Sequence, residues 1–468
     1  MSRPYRPYPS FRPSAFLRAF ALAFPLVAFL SSTSAAEVPP AVKAMLAKSA
    51  SFNLGKYPIS FWSYTNLNEH ADHMTEAEVA EWADCGFTVP MSPSFDPAKP
   101  EQVAHMHKLL DWAHVRGMKL ILCDPRCGAH WADQGGKLVV PPGYADGVRA
   151  AVKQFGDHPA LFGFLVGDEP DAAMKDAFFE CARIQKEIAP HLHPFANLLP
   201  FFPGIESRAG TDTWPNYLDE FYRKGNADLY SYDCYVQMNP GQSGWNDYFQ
   251  NLRLNREAAL RNGIPFWNTD LCTGHYNYRC PNYYELRWQF NTTVAAGAHG
   301  IIWFFYYQRA PEANYRFAPI DENWNHTQTW DDLRHVQKTF SRLYGDLFTR
   351  LAATRVTFNP VAFGGGEKFT PDDLVARISP DTSPVMLTEF VDAQGRRYVM
   401  LVNLSMTDNT RVSITLTNPK ARYFSWNWQG KEFEGPSYSS NGQSRDDHGL
   451  LVLDHFLSPA QEAVYRIE

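Results

Sequence analysis

Short apolar runs recur along the chain, separated by stretches in which apolar residues return at helical spacing. Eight of them lie in the first two thirds: Pro58 to Tyr64, Phe87 to Met91, Met118 to Cys123, Leu161 to Val166, Pro194 to Leu199, Leu229 to Tyr235, Pro265 to Asp270 and Gly300 to Tyr306. Their spacing of roughly 30 to 40 residues is the length of one βα unit. The segments between them carry helix punctuation. Thr75 and Glu78 form a capping box closed by Gly86, and Pro100 opens a helix that Gly117 ends. Trp245 to Arg261 runs to Gly263, Tyr283 to Ala298 runs to Gly300, and a last helix is expected over Trp330 to Leu347. Eight strand–helix repeats predict a parallel sheet closed into a (β/α)8 TIM barrel.

From about Ala353 the pattern changes to shorter, alternating runs. Val385 to Val391, Arg397 to Asn403, Val412 to Leu416, Tyr423 to Trp428, Leu450 to Asp454 and Ala463 to Ile467 read as strands. Asp392-Ala-Gln-Gly395 is a hairpin turn between two of them, and Val361 to Lys368 reads as a joining loop. The expectation is a small antiparallel β-sandwich over 351–468 that braces the barrel of 37–350.

Residues 1–36 fall outside both patterns. Four Arg precede the apolar run Ala19 to Leu30, and Ser34-Ala35-Ala36 offers small residues for cleavage. This is the layout of a secretory signal, and the run is short for a bilayer span. Localisation is therefore expected to be secreted or periplasmic, without stable membrane insertion. Removing this segment takes away four Arg and no acid, so the mature chain is more acidic than the −7 of the full sequence. That charge disfavours nucleic acid as a partner. The seven cysteines leave an odd thiol in an oxidising compartment; Cys272 and Cys280 are spaced to close a short loop. Cys123 and Cys127 lack a matching second pair, so no metal site and no cofactor is expected. Aromatic residues make up 15% of the chain, a supply of flat faces suited to sugar rings.

In a barrel of this kind the chemistry sits at the carboxyl ends of the strands. The fourth run ends in Gly167-Asp168-Glu169-Pro170, the most pointed of these ends. The same letters would also serve as an acidic, proline-opened helix start. Around it the strand ends offer Trp62, Asp124 and Arg126, Asn197, Asp233 and Tyr235, Trp267 and Asp270, His275, and Trp303. Two carboxylates can move protons at a glycosidic oxygen, while amides, an Arg and rings hold the sugar. Structural readings stand beside the functional ones. Asp124 and Arg126 pair with each other across the rim, Asp233 caps a loop, and the eighth-strand aromatics fill the barrel.

These segments resemble the large clan of retaining (β/α)8 glycoside hydrolases, whose acid/base is a glutamate ending strand four before a proline. The resemblance implies a general-acid role for Glu169. The clan's nucleophile is a glutamate ending strand seven, in a frame that Pro265-Phe-Trp-Asn-Thr-Asp270 matches with Asp for Glu. It thus implies that Asp270 is the second carboxylate, with Asp233 in reserve. Asp168, Asn197, Tyr235, Trp62, Asp124, Arg126, Trp267, His275 and Trp303 would then bind a carbohydrate substrate. Retention, inversion, a glycan-binding barrel without catalysis, and a lyase based on Tyr235 or His275 all remain open from sequence.

Overall fold

A computed structural model of the chain describes residues 37–241, 244–308, 314–436 and 442–468. The proposed signal segment lies outside the described residues. All eight expected barrel strands form: β1 (Ile59–Phe61), β2 (Met91–Ser94), β3 (Leu120–Cys123), β4 (Leu161–Asp168), β5 (Phe195–Leu198), β6 (Tyr230–Asp233), β7 (Phe266–Leu271) and β8 (Ile301–Phe304). They hydrogen-bond in parallel from β2 through β3, β4, β5, β6, β7 and β8 to β1. The ring is nearly closed between β1 and β2, where Thr88 N and Val89 N both donate to Ile59 O at 2.9 and 3.1 Å.

Around it in chain order stand α1 (Pro40–Ser51), α2 (Glu76–Cys85), α3 (Pro100–Val115), α4 (Tyr144–Phe155), α5 (Lys175–Ile188), α6 (Ile205–Ala209), α7 (Trp214–Lys224), α8 (Trp245–Asn262), α9 (Tyr283–Ala295) and α10 (Gln328–Tyr344). Their ends follow the sequence signals. Thr75 Oγ1 accepts from Glu78 N at 3.3 Å, and Gly86 ends α2 in the left-handed conformation. At α9, Asn282 and Glu285 form a full capping box. That helix stops three residues before its expected end, because Gly297 at φ 91° takes the left-handed turn.

The strands' alternation sorts two cores. Inward residues such as Phe162, Phe195, Trp267 and Ile302 fill the barrel, while Phe266, Ile301 and Leu198 face the helices.

After α10 the chain builds two sheets. In the larger, β9 (Ala352–Asn359), β11 (Val385–Val391), β12 (Arg397–Asn403), β16 (Glu462–Ile467) and β14 (Tyr423–Trp426) are neighbours in that order. The smaller holds β10 (Val375–Ser379), β13 (Thr410–Leu416) and β15 (Leu451–Leu457). Strand β11 is buried along its whole length. Its residues alternate between the inter-sheet core (Val385, Leu387) and the core shared with the barrel (Met386, Phe390). Helix α9 meets the larger sheet at one end of β12 and β16: Trp288 Nε1 donates to Leu404 O at 3.1 Å and Asn291 Nδ2 to Glu462 Oε2 at 2.7 Å. The expected turn is present, with Gly395 N donating to Asp392 O and Val391 paired to Arg397.

All seven cysteines are free. Cys272 Sγ donates to Phe305 O and Cys280 Sγ to Arg316 O, so the short loop anticipated between them is not bridged. No described helix is long and apolar enough to cross a membrane.

Candidate active site

A cavity of about 420 Å³ opens at the carboxyl ends of the barrel strands. Its wall contains Asp168, Glu169, Asn197 and Asp233, with Trp62, Tyr64, Phe201, Phe202, Tyr235, His275, Tyr276, Tyr278, Phe304 and Tyr315 around them.

Asp168 and Glu169 are consecutive, and on a regular strand they would point to opposite faces. The backbone removes that restriction. The ladder between β4 and β5 slips between Leu165 and Gly167, which brings Asp168 level with Asn197. Gly167 lies at φ 153° and Glu169 at φ 42°. A side chain on Gly167 would meet the Phe178 ring at 3.0 Å, so the close packing of α5 demands glycine there. Glu169 is a non-glycine residue in the left-handed region, a conformation that costs free energy. Its N–H is nonetheless tied to Asn197 O at 3.0 Å.

Asn197 ties the acids together. Its Nδ2 donates to Asp168 Oδ1 and to Asp233 Oδ1, each at 2.9 Å. Two oxygens bonded to one nitrogen stand within about 6 Å of each other. Ser231 Oγ donates to Asn197 Oδ1 at 3.3 Å and thereby fixes the amide's orientation. Arg208 Nη2 approaches Glu169 Oε2 at 3.5 Å from the open side.

The acids' proton affinities follow from this crowding. Burial pushes Asp168 up, against the Asn197 hydrogen bond. Burial and then the Asp168 charge push Glu169 up, with Arg208 opposing. Asp233 is held well above the ordinary carboxylate range by burial first, then by the charges of Glu169 and Asp168. Burial and mutual repulsion thus raise the proton affinity of all three acids, the direction that general acid catalysis requires.

Several residues expected here are elsewhere. Asp270 is fully buried on the outer side of β7, against the helices. Its Oδ2 accepts from Asn268 Nδ2 at 3.0 Å and Thr293 Oγ1 of α9 at 2.8 Å, and its Oδ1 from Gln237 Nε2 at 3.4 Å. The physical reason is strand parity. Trp267 points into the barrel and stacks on Phe162 at 5.3 Å, so a residue three positions on must point out. Trp267 itself is sealed below the cavity. Trp303 pairs in register with Asp270 and shares its outward direction, which leaves Phe304 to line the cavity. Asp124 and Arg126 form a bidentate pair, Nε to Oδ1 at 3.0 Å and Nη2 to Oδ2 at 2.6 Å, and Arg126 turns to Gln154 of α4. They do not reach the cavity wall. Glu169, Asp233, Asp168, Asn197, Tyr235, Trp62 and His275 do.

Other wall residues were not anticipated: Phe201 and Phe202 after β5, Asp247 in the first turn of α8, Tyr276, Tyr278 and Tyr315. Apart from Asp247 they come from connections between barrel elements that carry no periodicity, although the cluster His275-Tyr-Asn-Tyr278 beyond the seventh strand was a visible aromatic signal. His275 and Tyr315 stack there at 5.0 Å. Among the described residues no group of three or more His, Cys, Asp or Glu is arranged to hold a metal ion.

No protein-family model matches the chain, and no curated protein matches it in sequence. Solved structures do. The GH42 β-galactosidase Gan42B from G. stearothermophilus, in its catalytic-mutant form, is 9% identical with a TM-score of 0.57, covering 88% of this chain and 98% of that one. A second structure of Gan42B gives 0.58 over the same shares. A family 39 glycoside hydrolase from Bacteroides cellulosilyticus WH2 is 14% identical over 89% of this chain and 82% of that one, with a TM-score of 0.47. At such identities the likeness to Gan42B is one of fold.

Proposed function

We propose that this chain is a secreted glycoside hydrolase acting on a poly- or oligosaccharide. Glu169 is the general acid that protonates the glycosidic oxygen. Asp233, rather than Asp270, is the second carboxylate, and it acts on the anomeric carbon either directly or through water. Asp168 and Asn197 hold the sugar hydroxyls and the two acids in register. The rings of Trp62, Tyr64, Phe202 and Tyr235 supply apolar faces for the sugar. Residues 1–36 direct export.

The observation that carries this reading is the gathering of Asp168, Glu169 and Asp233 around Asn197 in one aromatic-walled cavity at the catalytic end of a barrel. A fold shared with glycoside hydrolases adds support. A lyase based on Tyr235 is disfavoured. Burial, and then the nearby Asp233 and Asp168 charges, hold that phenol well above its ordinary range, so it is a poor proton acceptor.

The test is cleavage of a broad glycan panel by the mature protein, with Glu169→Gln in parallel. Turnover lost by about a hundredfold or more in a variant that still folds and binds sugar supports the assignment. Full activity in Glu169→Gln would sink it. The anomeric configuration of the first product, read by proton NMR, separates direct attack by Asp233 (retention) from attack by water (inversion).

A further inference from the structure

Helix α6 is a five-residue insert between β5 and α7, flanked by Gly204 at φ 86° and Gly210 at φ 62°. Three contacts dock it on the segment that follows Glu169. Ala172 N donates to Arg208 O at 2.7 Å. Lys175 Nζ donates to Gly210 O at 2.5 Å while also pairing with Glu220. A side chain on Gly210 would collide with Ala172 Cβ at 2.8 Å, so the two backbones are in close contact. The insert thus has a fixed position, and what it presents to Glu169 is the Arg208 guanidinium, 3.5 Å from Oε2.

We propose that Arg208 is a positioning residue for Glu169, delivered by the docked insert to the open side of the carboxyl so that the acid is held toward the cavity and balanced against Asp168. This rests on the hydrolase reading above, which it deepens by naming what controls the acid. Arg208 is more than half exposed while Glu169 is about one third exposed, so the contact sits at the rim, where a bound glycan can strengthen it by excluding water. The balance can be read from the groups that face Glu169. Asp168 on its own strand presses its proton affinity upward, and the Glu169 charge in turn raises that of Asp233 on β6. Tyr217 of α7, Tyr235 and Tyr278 are neighbours that sense its charge and stay protonated. Arg208 is the cation that opposes the acids. Without it, Glu169 would hold its proton more tightly and be a weaker acid toward the leaving oxygen.

The experiment compares the native protein with Arg208→Gln and Arg208→Lys by two readouts. The first is a carbon-13 NMR titration of the Glu169 carboxyl, assigned by its disappearance in Glu169→Gln. The second is the pH profile of kcat/KM on whichever glycan the native protein cleaves. Arg208→Gln should move both the Glu169 midpoint and the basic limb of the profile to higher pH. Arg208→Lys, which keeps the charge, should restore most of the native position. A merely structural role would lower activity in both variants without moving either curve. An unchanged Glu169 midpoint in Arg208→Gln overturns the proposal. A native protein that cleaves no glycan overturns the hydrolase reading instead, and the NMR titration then decides the Arg208 contact by itself.

Discussion

Asn197 is the residue on which the candidate site's electrostatics converge. One amide nitrogen serves two aspartates that would otherwise repel each other at close range, and it lowers the proton affinity of both. Asn197→Ala removes both hydrogen bonds, and losing even one to a charged group costs about 1.5–3 kcal/mol. Turnover should fall by roughly ten- to a hundredfold at unchanged fold, a range that follows from that energy. Steady-state kinetics with circular dichroism checks it. Asp270 gives the opposite expectation. Burial holds its carboxyl well above the ordinary range, against the bonds from Thr293 and Asn268. Unfolded, it ionises near about 3.9. Between that value and its raised folded one, the unfolded chain has released a proton that the folded chain keeps. This group's contribution to stability is therefore full below about pH 4 and is lost as pH rises. Asp270→Asn removes that dependence. Its stability relative to the native protein should rise from pH 4 to pH 7 in denaturant titrations, with turnover retained. The parity that turns Asp270 outward was legible: Trp267 and Asp270 stand three apart, and a strand cannot aim both at one cavity. The left-handed turn at Glu169, which lets two adjacent acids share the cavity, was not. No residue type in Gly-Asp-Glu-Pro dictates a positive φ at the glutamate.

At the scale of elements, the barrel was readable because strands buried on both faces leave continuous apolar runs, and glycines mark the helix ends. The exceptions have local causes. The second strand begins at Met91 rather than Phe87: Thr88 N donates to Ile59 O, but Ile59 N donates to the Thr88 side-chain Oγ1 at 2.8 Å instead of to a backbone carbonyl, so no regular ladder forms there. Strand β9 was missed because it is interrupted by a register slip between Ala353 and Arg355 and carries polar residues. The wall loops after β5, β7 and β8 have no period to read. Within β4 the glycine before the acids is the element's pivot. Gly167→Ala would introduce a Cβ at a positive φ against the Phe178 ring. It should destabilise the protein by about 1–3 kcal/mol and displace both acids. A lower Tm with a disproportionate loss of kcat is the expected pair of results; a shift in Tm alone would disconnect the β4 geometry from catalysis.

Across the whole molecule, the larger C-terminal sheet shares a continuous core with the barrel through Met386, Phe390, Met400 and Val464 and accepts hydrogen bonds from α9, while its other face packs on the smaller sheet. That bracing role predicts one calorimetric transition for barrel and sandwich together; two separated transitions would contradict it. The free thiols are a second whole-molecule feature. Burial raises six of the seven, with Cys123 pushed up to about 12. A thiol reagent at pH 8 should therefore label the native protein chiefly at Cys280 and reach all seven cysteines only after unfolding. The central claim is that Glu169 and Asp233 form the working pair while Asp270 is structural. Its most direct test is the turnover of Asp233→Asn and Asp270→Asn, side by side, on a glycan that the native protein cleaves. The account predicts a loss of at least about a hundredfold in Asp233→Asn and near-native rates in Asp270→Asn. The reverse pattern, with Asp270→Asn inactive and Asp233→Asn active, would contradict it.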